Sequence, residues 1–241
     1  MKRRLFAIVR LMLLALPGGR SLYERVSNWR EGRRKIRDRR ILQKSGPDLL
    51  RLVHLRLHGK VPYFIDYGTL LGCMRDGGFI KHDDDVDFGL MPGADLRKLI
   101  TLFEGTELEY LGGYVYDGAV REIGFSFRKM RVDFFVNSEF GDTFQTDEYY
   151  DIPGKRYQKN ETGCYRFTRP RVTAIVERKF VGTMVDVPEN FEDLLVAHYG
   201  SNWRNPDPNW KSSDGDGKYR RVQMPIPGRY AVSKKEVLSL C

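Results

Sequence analysis

In PDLLRLVHLRLHGK apolar residues fall at Leu49, Leu50, Val53 and Leu57, with Leu52 and Leu55 widening the face. That spacing predicts a helix, opened by Ser45-Gly46-Pro47 and closed near Gly59. VPYFIDYG then reads as a strand and GTLLGCMRDGG as a short helix, bounded by Gly68 and the Gly77-Gly78 pair. DVDFGL is a second strand, ended by Pro92-Gly93, and ADLRKLITLF is helical. Three aromatic-rich β-like runs follow, LEYLGGYVYDG, REIGFSFRKM and RVDFFVN. Residues 138–170 are polar and turn-rich and read as long loops that line a site. FVGTMVDVP reads as a late strand. ENFEDLLVAHYG reads as a helix capped by Asn190, with Gly200 past its end. The tail SNWRNPDPNWKSSDGDG is loop-like. This order predicts an α/β (α+β) fold, a small mixed sheet with helices packed mainly on one face.

Composition is that of a globular protein, 41% hydrophobic and 12% aromatic, with no internal repeat. Charge is unevenly placed. Residues 1–44 hold 14 Lys or Arg against 3 Asp or Glu, whereas the remainder is slightly acidic. The expected organisation is therefore a basic arm over 1–44 and a catalytic domain over 45–241. A body without a basic face argues against a specific nucleic-acid partner. The arm begins with an apolar stretch, Leu5 to Leu16, interrupted by Arg10 and too short to span a bilayer. The cationic segment after it suits an anionic membrane surface. The expected location is cytoplasmic and peripheral on the membrane, or a Golgi-type lumen if the N-terminus is a signal anchor. Cys73, Cys164 and Cys241 are widely spaced and odd in number, which argues against a disulfide framework and against a structural zinc site.

The candidate chemistry lies in GFIKHDDDVDFGL, where Asp83, Asp84, Asp85 and Asp87 occupy four of five positions. On a strand, Asp85 and Asp87 share one face with Asp83 one step behind, while Val86 and Phe88 point into a core. Asp84 belongs to the preceding turn. Carboxylates aimed at one point repel, and a hard divalent cation relieves that repulsion. A solvated acidic turn would tolerate the same residues. An EF-hand would need Gly at the sixth place and Glu at the twelfth, but Phe88 and Ala94 stand there. An aspartyl-phosphate motif would need Thr where Gly89 stands. Asp133 sits alone in the apolar strand RVDFFVN and needs a partner, either the same cation or Arg128, Lys129 or Arg131. Gly68-Thr69 lies at a strand-to-helix turn whose backbone N–H groups favour phosphate. Arg75, at the end of that helix, would reach a phosphate or serve as an ordinary helix-end cation. His54 and His58 lie four apart, a spacing that could hold a metal, but no Glu-rich or Cys-rich pattern accompanies them, and they read as plain helix surface.

Taken together, YFIDYGTLLGCMRDGGFIKHDDDVDFGL, VDFFV and VDVPENFEDLLVAHYGSNWRNPDPNW resemble the LicD/fukutin-related phosphotransferases of the nucleotidyltransferase superfamily. Lys81-His82 stands where those proteins often have Pro-Trp or Pro-His. The resemblance implies transfer of a phospho-alcohol group from a CDP-activated donor, CDP-choline or CDP-ribitol, to a sugar hydroxyl of a cell-surface glycan. It implies Mg²⁺ (or Mn²⁺) on Asp85, Asp87 and Asp133, with Gly68, Thr69 and Arg75 binding the substrate's phosphate oxygens and Asp83 positioning a metal-bound water or a second metal. A lipid-linked acceptor would explain the arm. The same carboxylates would serve a nucleotidyltransferase that transfers the NMP itself. A metal-dependent glycosyltransferase or an inactive membrane-docked binding module are further alternatives.

Overall fold

The computed structural model describes residues 19–150, 162–207, 221–225, 228–231 and 233–241. The apolar stretch Leu5–Leu16 lies outside them. Helix α1 spans Gly19–Leu57, 39 residues with Pro47 inside. It was expected to begin at Ser45, because proline favours the first helical turn. The helix instead runs through it. Gly46 lets the Phe79 ring close against the helix, where any Cβ would collide with it. The 44/45 boundary therefore lies within an unbroken helix. Asp38 and Leu42 are already fully buried, whereas Leu22, Val26, Trp29 and Ile36 upstream are exposed. Leu49, Leu50, Val53 and Leu57 enter the core, but Leu55 faces solvent.

Strand β1 is Tyr63–Ile65, helix α2 Tyr67–Leu71 with a π-helical turn Gly72–Asp76, and β2 Asp85–Leu90. Helix α3 is Leu96–Leu102, capped by the Asp95 carboxylate, which accepts from the Lys98 N–H. Then come β3 Leu108–Tyr116, β4 Ala119–Phe127 and β5 Met130–Val136. The turns Asp117-Gly118 and Arg128-Lys129 have positive φ at both residues, the type that matches strand twist in a two-residue hairpin. With β12 (Arg229–Ala231) these strands form a six-stranded mixed sheet, ordered β1-β2-β5-β4-β3-β12. Among the described residues only β2 and β5 pair in parallel.

Where loops were expected over 138–170, residues 138–140, 143–150 and 163–170 are strands, and 151–161 lie outside the described residues. β6 (Ser138–Phe140), β7 (Thr143–Tyr150), β8 (Gly163–Pro170) and β11 (Arg221–Gln223) make a second sheet. The late strand FVGTMVDVP is the turn and second arm of a hairpin, β9 (Ile175–Phe180) and β10 (Thr183–Pro188). Helix α4 is Phe191–Tyr199 and α5 Lys234–Ser239. Asn190 precedes α4 but does not cap it. Its side chain instead accepts from the Thr173 N–H and donates to the Arg171 carbonyl. Gly200 ends the helix, as expected.

Alternation along β2 and β5 divides the central sheet. Val86, Phe88, Val132 and Phe134 join Leu49, Val53, Leu99 and Phe103 of the helical layer in one core. The rings of Phe88 and Phe134 stack at 4.7 Å. On the opposite face a smaller core gathers Phe64, Phe144, Val172 and Leu194. Gly89 lies on that face, and a Cβ there would run into the Phe64 ring and stand 2.8 Å from Asp66 Oδ2. Gly89→Ala is therefore expected to destabilise the protein by about 1–3 kcal/mol, an overpacking cost readable in the urea midpoint.

Candidate active site

Parallel pairing of β2 and β5 brings the acidic residues together. Asp87 is the register partner of Asp133, and Asp85 of Arg131. Neighbouring strands lie about 4.8 Å apart and alternate residues share a face, so three carboxylates converge. One oxygen each of Asp85, Asp87 and Asp133 lies within 4.8 Å of the others. Asp83, Asp85, Asp87 and Asp133 line an open cleft of about 570 Å³.

Of the partners expected for Asp133, Arg131 is the one that pairs with it. Its Oδ2 accepts from Arg131 Nε at 2.6 Å, and Arg131 also donates to Glu122 at 2.8 Å. Its Oδ1 is buried and has no hydrogen-bond partner. Gly124, opposite Asp133 on β4, leaves that oxygen room, since a Cβ there would stand 3.2 Å from it. Among the described residues Arg131 is the sole Lys or Arg lining the cleft, against six carboxylates including Glu122 and Glu148. Burial first, then the neighbouring carboxylates, holds Asp85 and Asp87 well above the usual carboxylate range. Burial also raises Asp83 and, together with Asp133, Glu122. A buried oxygen without a partner, in an oxygen-only donor set carrying excess negative charge, fits a hard divalent cation.

The sign of the pH dependence follows. Carboxylates with raised values in the folded state bind protons that the unfolded chain has released above about pH 4. Without a divalent cation, their contribution to stability is full below that value and is lost as pH rises through the folded-state values. Mg²⁺ or Mn²⁺ should therefore raise the melting temperature more at about pH 8 than at about pH 5. A gain that is flat across pH would contradict this electrostatic picture.

Gly68 and Asp83 are in contact. A Cβ on Gly68 would stand 2.6 Å from Asp83 Oδ2, so only glycine lets this carboxylate close over the turn. Thr69 differs from expectation. Its side chain is buried, and its hydroxyl accepts from the Asp87 N–H at 3.1 Å, holding the acidic strand instead of facing the cleft. Arg75 is paired with Asp76 through two hydrogen bonds and lines an adjoining cavity of about 560 Å³. Gly68 and Asp83 line both spaces. Trp203 is buried and borders the second cavity.

Several site residues escaped the sequence reading. Tyr114 stacks on Tyr149 at 4.4 Å, and the Arg131 guanidinium lies 5.8 Å from the centre of the Tyr114 ring. Asp66 accepts from the Tyr67 N–H and binds Arg169 through two buried hydrogen bonds of 2.8 and 3.0 Å. Tyr67 has φ 44°, strained for a bulky residue. Its ring is held 4.9 Å from both Phe135 and His198, and that turn delivers Gly68 to the cleft.

A family model described as LicD/FKTN/FKRP, nucleotidyltransferase domain, matches residues 60–190, which carry all of these acidic side chains. The chain belongs to the LicD/FKTN/FKRP family. Among similar proteins is "Ribitol-5-phosphate transferase FKTN" of Mus musculus, 29% identical over 182 residues, covering 73% of this chain and 37% of that protein. The Homo sapiens protein of the same name is 28% identical over 172 residues, covering 70% and 35%. An uncharacterized Rickettsia typhi protein, RT0683, is 29% identical over 142 residues, covering 54% and 45%. The chain thus spans little more than a third of the length of the FKTN proteins it matches. No helix among the described residues of this LicD-family chain is long and apolar enough to cross a membrane.

Proposed function

We propose that this chain is a metal-dependent phosphotransferase. It moves a ribitol-phosphate- or phosphocholine-like group from a CDP-activated donor to a sugar hydroxyl of a cell-surface glycan. The observation that carries the reading is the convergence of Asp85, Asp87 and Asp133 in one cleft of a LicD-family domain. A relative named for ribitol-5-phosphate transfer supports the class of group transferred.

Asp85, Asp87 and the unpartnered Oδ1 of Asp133 would hold Mg²⁺ or Mn²⁺. Bound there, the cation would offset the charge of a diphosphate and of the departing CMP. Thr69 keeps the backbone of Asp87 fixed, so the carboxylates are positioned before substrate arrives. Arg131 is engaged by Glu122 and Asp133 and keeps the cluster from full mutual repulsion. The Tyr114–Tyr149 stack offers a flat apolar wall beside the acidic floor, suited to a ring of the donor or acceptor. The cationic, solvent-facing half of α1 would place the protein on an anionic membrane surface, within reach of a lipid-linked acceptor.

The deciding experiment uses CDP-ribitol and CDP-choline labelled separately in the alcohol and in the nucleotide, with Mg²⁺ and a glycan acceptor. Alcohol label on the glycan with free CMP is the expected result. Nucleotide label on the acceptor would make the protein a nucleotidyltransferase, and no transfer with any donor would leave a binding module.

A further inference from the structure

A second cluster of metal-ligating side chains lies outside the acidic cleft. His54 and His58, one turn apart near the end of α1, face the β9–β10 hairpin with ring centroids 4.6 Å apart. From the hairpin come Glu177 and Asp186, directly paired across the two strands and therefore on one face. One ligand atom of each of the four lies within 4.8 Å of the others. His58 Nδ1 is 2.9 Å from Asp186 Oδ1, and His54 Nε2 is 3.2 Å from Glu177 Oε1. The remaining cross-pairs are 3.9 and 4.0 Å.

Charge makes this more than a helix surface. Asp186 is 5% exposed. Among the described residues, the two imidazoles are the only basic groups in ion-pair reach of Asp186 or Glu177. No Lys or Arg among the described residues is in ion-pair reach, so the buried Asp186 carboxylate and Glu177 beside it lack a permanent countercharge, which is a costly arrangement. A divalent cation supplies the missing charge and satisfies all four groups. Two imidazole nitrogens with two carboxylate oxygens suit Zn²⁺ better than Mg²⁺. Four protein ligands give a closed tetrahedral site, the structural type. Its ligand atoms would sit about 3.3 Å apart for bonds of about 2.0 Å, so the present spacing needs only side-chain adjustment.

We propose that His54, His58, Glu177 and Asp186 form a structural Zn²⁺ site that clamps the end of α1 to the β9–β10 hairpin. It is separate from the acidic cleft. The cluster borders Tyr63, which pairs with Leu90 at the end of β2 remote from Asp85. The inference does not depend on the transferase reading.

The test strips the full-length chain with chelator and titrates Zn²⁺ against a competing chromophoric chelator, with melting temperature as a second readout. The Asp87→Asn background is used to weaken competing binding at the acidic cleft. One Zn²⁺ per chain, a raised melting temperature and tetrahedral Co²⁺ absorption bands are expected in that background. His54→Gln/His58→Gln should weaken binding about 100-fold or more, since even second-shell changes cost about 10- to 100-fold. Glu177→Gln, with Glu177 on an exposed strand, should do the same while far-UV circular dichroism stays unchanged. Zn²⁺ binding weaker than about 1 mM would overturn the proposal. Binding and stabilisation untouched by Glu177→Gln would overturn it as well. A cluster that gains stability from acid but none from Zn²⁺ would be a pair of titrating ion pairs, and the proposal would fall.

Discussion

Asp87→Asn is expected to lower transfer about 100- to 1000-fold or more while leaving the metal-free protein as stable as before, or more so. The two halves of this expectation have one cause. Asp87 sits beside Asp85 and Asp133, and burial with those neighbours raises its carboxyl well above its ordinary range. Ionised Asp87 is thus a liability to the bare fold, and asparagine of the same shape removes it. The backbone has no reason to move, because the Asp87 N–H is held by the Thr69 hydroxyl and not by its own side chain. What would be lost is the charged ligand of the proposed metal site and, with it, affinity for Mg²⁺ or Mn²⁺. Calorimetric metal titration, donor turnover and a thermal melt in chelator would be run on one preparation. Unchanged turnover would end the enzyme reading. A melting temperature lowered by several degrees would show that Asp87 is structural.

The second large effect concerns stability. Arg169 and Asp66 form a fully buried, doubly hydrogen-bonded ion pair joining β8 to the start of α2. Arg169→Met leaves the Asp66 carboxylate buried with little beyond the Tyr67 N–H to answer it. The expected cost is about 3–5 kcal/mol. For a domain of this size that lowers the melting temperature by about 6–20 °C. Adding Asp66→Asn should restore much of the loss, since no uncompensated charge then remains. Activity should not recover in the double variant to the same degree, because Asp66 also fixes the turn at Tyr67 and Gly68. A single-variant loss below about 1 kcal/mol would mean water reaches the pair and screens it.

The acidic strand was readable because its alternation is unambiguous. Asp85 and Asp87 point one way, Val86 and Phe88 the other, and a one-residue slip would bury charge in an apolar core. Asp133 was readable for the same reason. The sheet beyond the cleft was not. In β7 and β8 the buried positions include Thr146, Asp147 and Arg169, held by ion pairs such as Arg166–Asp147, so no hydrophobic period marks them. Glu122 was missed because a charged residue alternating with apolar ones looks solvent-facing, whereas this one faces a cleft. His54 and His58 looked isolated because their partners lie more than a hundred residues away, on a hairpin of which only the second arm was legible. Pro47 misplaced the start of α1, since whether proline opens a helix or interrupts it depends on what packs against it.

That helix carries a mechanical implication. At 1.5 Å per residue its 39 residues extend about 58 Å. It acts as a boom, not a leash: a surface or partner gripping the stretch around Trp29 sets the heading of the carboxylates as well as their distance. Each residue inserted ahead of Asp38 would swing the cleft by about 100° about the helix axis. Phase, more than charge, would then decide which acceptors come within reach.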